Sequence, residues 1–562
     1  MRVLGVNALF HDPSAALVVD GHVLAAAEEE RFSRRKHGKR PLPFAAWELP
    51  EQSMRWCLEV GGLAPEDLDA VAYSFDPALA KPSDEMGLPD PWDWLRQRYA
   101  ERAPQFIATA LPGLDPATVR FVPHEVAHAA SAALASPYGT CSVMSLDGRG
   151  ERSSYLAGRY TDGRLEVLAS QELPHSLGLV YESLTEHLGF LRSSDEYKVM
   201  ALASYGSPRF LPELRELLRT TPDGGFVAEA PDWSRWAAPA TPGAIQEPSG
   251  AGGLPPDQAD LAASVQARLE ELLVELATTL HEQTGDTALT LAGGTALNCV
   301  ANSRLWRETP FEHVWVQPAA GDSGTALGAA LQLTAEAGVR TVPMASAALG
   351  RGWSDDELAD ALHTARVPFT TPADLPEQVA DVLADDGMVA WFDGRSEFGP
   401  RALGQRSLLA HPGTRANTER LNVVKGREQF RPVAPMVLLE DAPDIFSGGP
   451  IPSPYMLFVH DVAAGWRDRI PATVHVDGTA RIQTVDDSQP RLQAMLRAFR
   501  ARTGLPVVVN TSLNTAGRPM VDSPRDALEL FGSAPVDVLV LGPHLVRRAD
   551  LFTSGQPSGG AS

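Results

Sequence analysis

The chain has 562 residues, 44% hydrophobic and 21% charged, with a formal net charge of −23. Those figures exclude a disordered chain, predict two or three cores, and argue against general binding to nucleic acid or an anionic membrane. No apolar run reaches the roughly 18 residues a bilayer span needs, and His11 and Asp12 interrupt the N-terminus where a signal peptide is apolar. Cys57, Cys141 and Cys299 are odd in number and widely spaced, which argues against a disulfide framework or thiolate zinc site. A cytoplasmic enzyme is the expectation.

Residues 3–8 and 15–19 read as strands joined by FHDPS, with Gly21 turning into a third apolar segment, VLAAAEE. Helices are expected at 50–62 and 93–110. A short strand at 119–122 leads into a helix starting near Pro123, since proline suits a first helical turn. CSVMSLDGRGERSSYLAGRY then repeats the opening theme of strand, glycine-containing turn and strand, which predicts a duplicated α/β fold. The Pro-, Gly- and Ala-rich stretch 221–256 reads as an extended insertion or surface loop. Residues 257–285 form a long amphipathic helix, followed by the strand ALTLAGG and a turn and helix. Residues 338–355 read as a linker. A smaller α/β unit follows, with strands near 388–392, 433–439, 506–510 and 537–541. The expected domains are 1–345 and 356–550, with a flexible tail at 551–562.

Only five of the 48 cationic residues are lysines: Lys36, Lys39, Lys81, Lys198 and Lys425. A lysine kept against that bias marks a place suited to a compact point charge rather than a planar fork. Chance is the plain alternative.

His124 and His128 are four apart on the predicted helix, so both imidazoles project from one face. Such pairs are often ordinary helix residues. Asp147 in SLDGRGE and Asp322 in AAGDSGTALG strengthen the metal reading, because both are carboxylates in glycine-flanked turns. Two His and two Asp suit Fe²⁺, Mn²⁺ or Zn²⁺ and leave room for phosphate oxygens. The turn Asp147, Gly148, Arg149, Gly150, Glu151 offers a nest of N–H groups for phosphate. LAGGTALN, with Gly294 and Asn298, and GDSGTALG add glycine-rich strand–helix junctions.

The order of these turns resembles the actin/sugar-kinase/Hsp70 ATPase superfamily. More specifically, HDPSAALV (11–18), AEEERFSRRKHG (27–38), HSLGLVYESLTEHLGF (175–190), DEYKVMALASYG (195–206), GRSEFGPRALGQRS (394–407), VVKGREQFRPVAPMVL (424–438), DGTARIQTV (477–485) and NTSLNTAGRPMV (510–521) carry a resemblance to the nodulation-protein/cephamycin/tobramycin O-carbamoyltransferases. Four of the five lysines lie within or beside those motifs. The resemblance implies a Kae1-like ATPase domain (1–345) followed by a YrdC-like domain (356–550). It implies a metal, typically Fe²⁺, on His124, His128, Asp147 and Asp322; nucleotide contacts at Gly178, Gly294 and Asn298; and a transfer site at His11 and Lys36. It assigns a carbamoyl-donor site to Arg401, Lys425, Arg431, Arg481, Asn510 and Ser512. The implied chemistry joins carbamoyl phosphate to ATP, with Mg²⁺, as a carbamoyl adenylate. The carbamoyl group then passes to a hydroxyl of a small molecule, as in antibiotic tailoring. A homodimer is implied by resemblance alone. The alternatives are a tRNA threonylcarbamoyl-type enzyme, against which the acidic charge argues, a non-catalytic Hsp70-like module, and a sugar kinase. The last two need no second domain of cationic motifs.

Overall fold

The computed structural model describes residues 1–38, 48–88, 90–243, 245 and 256–553, so Lys39, residues 246–255 of the expected insertion and most of the tail lie outside the described residues. The chain divides into two compact units. The first is Met1–Leu349 with the short segments Phe398–Pro400 and Glu428–Arg431; the second is Gly350–Glu397, Arg401–Arg427 and Pro432 onward.

The first unit contains β1 (Arg2–Asn7), β2 (Ser14–Val19), β3 (His22–Glu28), β4 (Ala70–Tyr73) and β5 (Val119–Phe121), in the order β3-β2-β1-β4-β5. The first three form an antiparallel meander, and β4 and β5 continue parallel to β1. A second sheet repeats that plan with β6 (Thr140–Leu146), β7 (Ser153–Thr161) and β8 (Arg164–Glu172). A small ribbon, β9 (Arg219–Thr220) and β10 (Phe226–Val227), comes next in the chain. The sheet is completed by β11 (Ala288–Ala292) and β12 (His313–Val316), giving β12-β11-β6-β7-β8. Three meander strands followed by two parallel ones occur twice, which is the duplication the paired strand–turn–strand segments predict. The β1–β2 turn, holding His11 and Asp12, therefore corresponds to the β6–β7 turn holding Asp147.

Small residues decide how the helices seat. A Cβ on Gly328 would lie 1.8 Å from the Ala127 carbonyl oxygen, and one on Gly5 would lie 1.8 Å from that of Ala326. The helix Ser323–Glu336 therefore presses directly on the helix His124–Ala133 and on β1, as only glycine permits. That contact brings Asp322, at the helix start, beside His124 and His128.

Residues 221–256 depart from the surface loop expected of them. Phe226, Ala228, Trp233, Ala237 and Ile245 are buried, and Trp233 Nε1 donates to Ser183 Oγ at 3.0 Å. Low periodicity hid these anchors, because single large side chains spaced along a coil need no repeat to be buried.

The second unit is built on a mixed sheet of β13 (Val389–Phe392), β14 (Arg406–Ala410), β15 (Ala434–Leu438), β19 (Gln483–Val485), β20 (Val507–Ser512), β21 (Val538–Leu541) and β22 (His544–Arg547), ordered β19-β15-β20-β14-β13-β21-β22. A side sheet holds β16 (Phe446–Ser447), β17 (His460–Val462) and β18 (Thr479–Ala480). Alternation along β13 fills both faces. Val389 and Trp391 join a core with the helices Leu375–Ala384 and Pro490–Thr503, whereas Ala390 and Phe392 join one with Asp355–Thr364 and Pro524–Ser533. The result is a three-layer α/β unit.

Candidate functional site

His124 and His128 project from one helix toward Asp147, at the end of β6, and Asp322. All four are buried, and one ligating atom from each lies within 4.8 Å of the others. His124 Nε2 is 3.7 Å from both an Asp147 and an Asp322 oxygen; His128 Nε2 is 3.9 and 3.6 Å from theirs. Those separations exceed hydrogen-bond length, and His124 Nε2 and both ring nitrogens of His128 are buried without a hydrogen-bond partner. Buried polar atoms rarely stay unsatisfied, so four converging donor groups at this spacing fit a divalent cation. The surroundings hold the ligands in place: His124 Nδ1 is 3.2 Å from the Ser74 carbonyl oxygen, Gly294 N–H donates to Asp147 at 2.9 Å, and His11 N–H donates to Asp322 at 3.1 Å. Burial opposes a charge on His124, yet Asp147 and Asp322 raise its pKa well above the usual imidazole value. Although burial also works against their charge, pairing with the histidines lowers both carboxyls.

A second His–Asp cluster adjoins it. Asp12 Oδ2 is 2.9 Å from His11 Nδ1, Asp12 Oδ1 is 3.0 Å from His37 Nδ1, and His37 Nε2 is 2.7 Å from Ser194 Oγ. The two imidazole centroids are 4.2 Å apart. Asn7, buried, donates to the carbonyls of His11 and Asp12, fixing the turn. Glu30 binds the Lys36 loop: its carboxylate accepts from His37 N–H at 2.9 Å and lies 3.5 Å from Lys36 Nζ. His11 and Lys36 thus sit in one neighbourhood. Asp12, His37, Ser194 and Glu30 were not singled out from sequence. His37 stands in the basic run SRRKHGKR, which reads as a solvated segment; only its adjacency to Lys36 hinted at more.

Several residues expected at the nucleotide are occupied otherwise. The Glu151 carboxylate accepts from His124 N–H at 2.9 Å and Asp76 N–H at 2.7 Å, so it caps the histidine helix. Arg149 donates to Asp90 at 3.3 Å and lies 5.3 Å over the Phe10 ring, and Gly150 N–H donates to the Ser153 carbonyl. The turn beginning at Asp147 is therefore largely engaged internally rather than the open phosphate nest expected. Asn298 caps its own helix through Ala301 N–H and exchanges two hydrogen bonds with Gln266, so its amide is already used. Gly293 and Gly178 do serve close approach: a Cβ would lie 2.1 Å from Leu146 O at the first and 2.7 Å from Gly148 N at the second.

In the second unit, Lys425 Nζ donates to Ser512 Oγ at 3.0 Å and Asn514 Oδ1 at 2.6 Å, and also to the carbonyls of both residues. Asn510 donates to the Ala402 carbonyl at 3.0 Å and Gln483 Oε1 at 2.8 Å, which ties the neighbours of Arg401 and Arg481 to β20. Asn510 Oδ1 and Arg481 Nε are buried without a hydrogen-bond partner. Arg431 lies in a short segment grouped with the first unit, where it pairs with Glu428 at 3.4 Å and covers the Tyr197 ring at 4.6 Å. Arg406 and Glu397, not anticipated, form the buried frame: Glu397 accepts three backbone N–H groups between Leu403 and Arg406, and the Arg406 guanidinium stacks 3.6 Å over Phe392.

The family profile described as Carbamoyltransferase N-terminus matches residues 2–108 and 98–331, and Carbamoyltransferase C-terminus matches 380–548. The chain is 36% identical to nodulation protein NolNO of Sinorhizobium fredii, over 96% of this chain and 80% of that one. It is 32% identical to nodulation protein U of Bradyrhizobium diazoefficiens, over 92% and 93%. An uncharacterized protein of Synechocystis matches at 35%, over 96% and 95%. Among solved structures, HypF of T. kodakarensis aligns with 61% of this chain and 48% of its own at 14% identity and a TM-score of 0.31, too shallow a likeness to carry weight. No described helix is long and apolar enough to cross a membrane.

Proposed function

Because the chain belongs to the carbamoyltransferase family and is a carbamoyltransferase enzyme, we propose that it works in two stages, with ATP and carbamoyl phosphate as co-substrates. In the second, YrdC-like unit, water hydrolyses carbamoyl phosphate to carbamate and inorganic phosphate. The resulting carbamate attacks the α-phosphate of ATP, forming carbamoyl adenylate and pyrophosphate. Arg401 and Arg481 supply guanidinium donors for the anionic oxygens, and Asn510 and Ser512 supply neutral hydrogen bonds. Lys425 is held against Ser512 and Asn514 as a point charge. In the first, actin/Hsp70-like unit, an acceptor hydroxyl attacks the carbamoyl carbon, its proton passes to His11, and AMP leaves. Lys36 stabilises the negative charge that develops.

His124, His128, Asp147 and Asp322 would hold a divalent cation, Fe²⁺ by resemblance, which when bound supplies a Lewis acid toward phosphate oxygens. One observation carries this reading: the four-residue group with orphaned nitrogens is joined to the His11 turn through the His11 N–H to Asp322 hydrogen bond. That link supports a reading in which the leaving nucleotide and the acceptor's base share one site.

The test supplies ATP, Mg²⁺, Fe²⁺ and carbamoyl phosphate, follows pyrophosphate, and screens an aminoglycoside, a macrolactam and a cephem alcohol for the mass gain of one carbamoyl group. Pyrophosphate release is expected from the wild type and is lost in Lys425→Ala. His11→Asn is expected to keep it and lose transfer. A folded, metal-loaded protein that releases no pyrophosphate refutes the adenylate route.

A further inference from the structure

We propose that Asp12 and His37 are positioning residues for His11: one carboxylate accepts the Nδ1–H of both imidazoles and so fixes His11 in the tautomer whose lone pair lies on Nε2, the nitrogen that takes the acceptor's proton. This rests on the role of His11 given above. The geometry is specific. Each Asp12 oxygen takes a different ring, at 2.9 and 3.0 Å, so neither imidazole competes for the other's acceptor. Both distances are those of charge-assisted hydrogen bonds, unlike the 3.6–3.9 Å separations in the adjacent buried group.

An ionised carboxylate only accepts, so both rings must carry their proton on Nδ1. Accepting an N–H from each imidazole, at 2.9 and 3.0 Å, favours that ionised form. The far end of the chain then has its own direction. With Nδ1 protonated, His37 Nε2 accepts from Ser194 Oγ–H at 2.7 Å. The order reads Ser194 to His37 to Asp12 from one side and His11 to Asp12 from the other. Asp12 thus plays toward His11 the part of an orienting carboxylate in a nucleophile–base–acid triad, and His37 stops that carboxylate from turning away.

Backbone strain marks the same spot. Phe10, Asp12 and His37 all occupy the left-handed region, with φ of 53°, 43° and 60°. Non-glycine residues are held there only where surrounding contacts overdetermine them. Here Asn7 clamps the carbonyls of His11 and Asp12, and Glu30 accepts the His37 N–H.

When His11 gains the acceptor's proton, it becomes an imidazolium already bonded to Asp12, so no side chain has to move. Free imidazole has no such commitment and populates both tautomers. The preorganised network therefore raises kcat with little effect on acceptor binding.

The test labels the histidine side-chain nitrogens with ¹⁵N in the full-length protein and reads their protonation in long-range ¹⁵N–¹H spectra, with His11→Asn and His37→Asn spectra assigning the peaks. In wild type, both rings are expected to show a protonated Nδ1 and an unprotonated, pyridine-type Nε2. In Asp12→Asn, the amide N–H₂ faces one ring, and at least one tautomer is expected to invert. Kinetically, Asp12→Asn is expected to lower kcat for carbamoyl transfer on the order of 10²-fold or more, with pyrophosphate release within about twofold of wild type. His37→Asn, whose amide stands in for Nδ1–H, is expected to recover most of the kcat lost in His37→Ala. An Nε2–H tautomer for either ring in wild type overturns the proposal, and so does loss of pyrophosphate release in parallel with transfer. The spectra need no acceptor: the predicted tautomers in a wild type that carbamoylates nothing would support the network while refuting the role assigned to His11.

Discussion

The two equivalent turns of the duplicated fold each bring an aspartate to a pair of histidines, but in opposite states. The β6–β7 turn brings Asp147 to His124, His128 and Asp322, where the nitrogens stand 3.6–3.9 Å from carboxylate oxygens and lack hydrogen bonds. The β1–β2 turn brings His11 and Asp12 to His37, where the separations, 2.9 and 3.0 Å, are hydrogen-bond distances. Residue identity alone does not separate a cation site from a proton network. The gap between donor atoms does, because a cation needs several lone pairs converging at metal–ligand distance, whereas a proton needs one pair at hydrogen-bond distance.

The largest expected effect breaks the first turn's cluster. His128→Ala removes one of four ligands, and bound metal, measured by elemental analysis, is expected to fall by at least tenfold together with transfer activity. A smaller effect comes from seating. Gly328→Val forces a side chain into the Ala127 carbonyl, so the helix carrying Asp322 must shift; a loss of about 2–4 kcal/mol, read from chemical denaturation, is expected alongside weaker metal retention. In the second turn, Ser194→Ala removes only the outermost hydrogen bond to His37. Transfer is expected to fall about two- to fivefold with metal content unchanged.

Glu196 sharpens the contrast through pH. Burial and the nearby Glu182 push its pKa up to about 7, partly offset by hydrogen bonding and by His11. Between pH 4.5 and 7 the folded protein therefore binds more protons than the unfolded chain, and this group's contribution to stability falls as pH rises through that window. Glu196→Gln is expected to flatten the decline, raising the melting temperature at pH 8 by a few degrees and leaving it unchanged near pH 4. Melting curves of the two proteins at both pH values check the sign.

Much of this arrangement is legible in the sequence. The four-residue spacing of His124 and His128 puts both on one helix face whatever the surroundings, and glycine-flanked Asp147 and Asp322 announce close backbone approach. The repeated strand–turn–strand segments announced the duplication. What escaped depends on occupancy. Glu151 and Asn298 lie in the right motifs, yet their side chains also cap helices, which spacing does not foretell. His37 hid in a basic run, because nothing local marks which histidine will meet an aspartate 25 residues away. Hydrogen-bond partners are set by the fold, and residue type and spacing do not encode them.

Counting metal ions in the purified protein, in parallel with Asp12→Asn and Asp322→Ala, tests the contrast most directly. The account predicts one divalent ion per chain, retained in Asp12→Asn and lost in Asp322→Ala. Two ions per chain with one lost in Asp12→Asn, or one ion that survives Asp322→Ala, would contradict it.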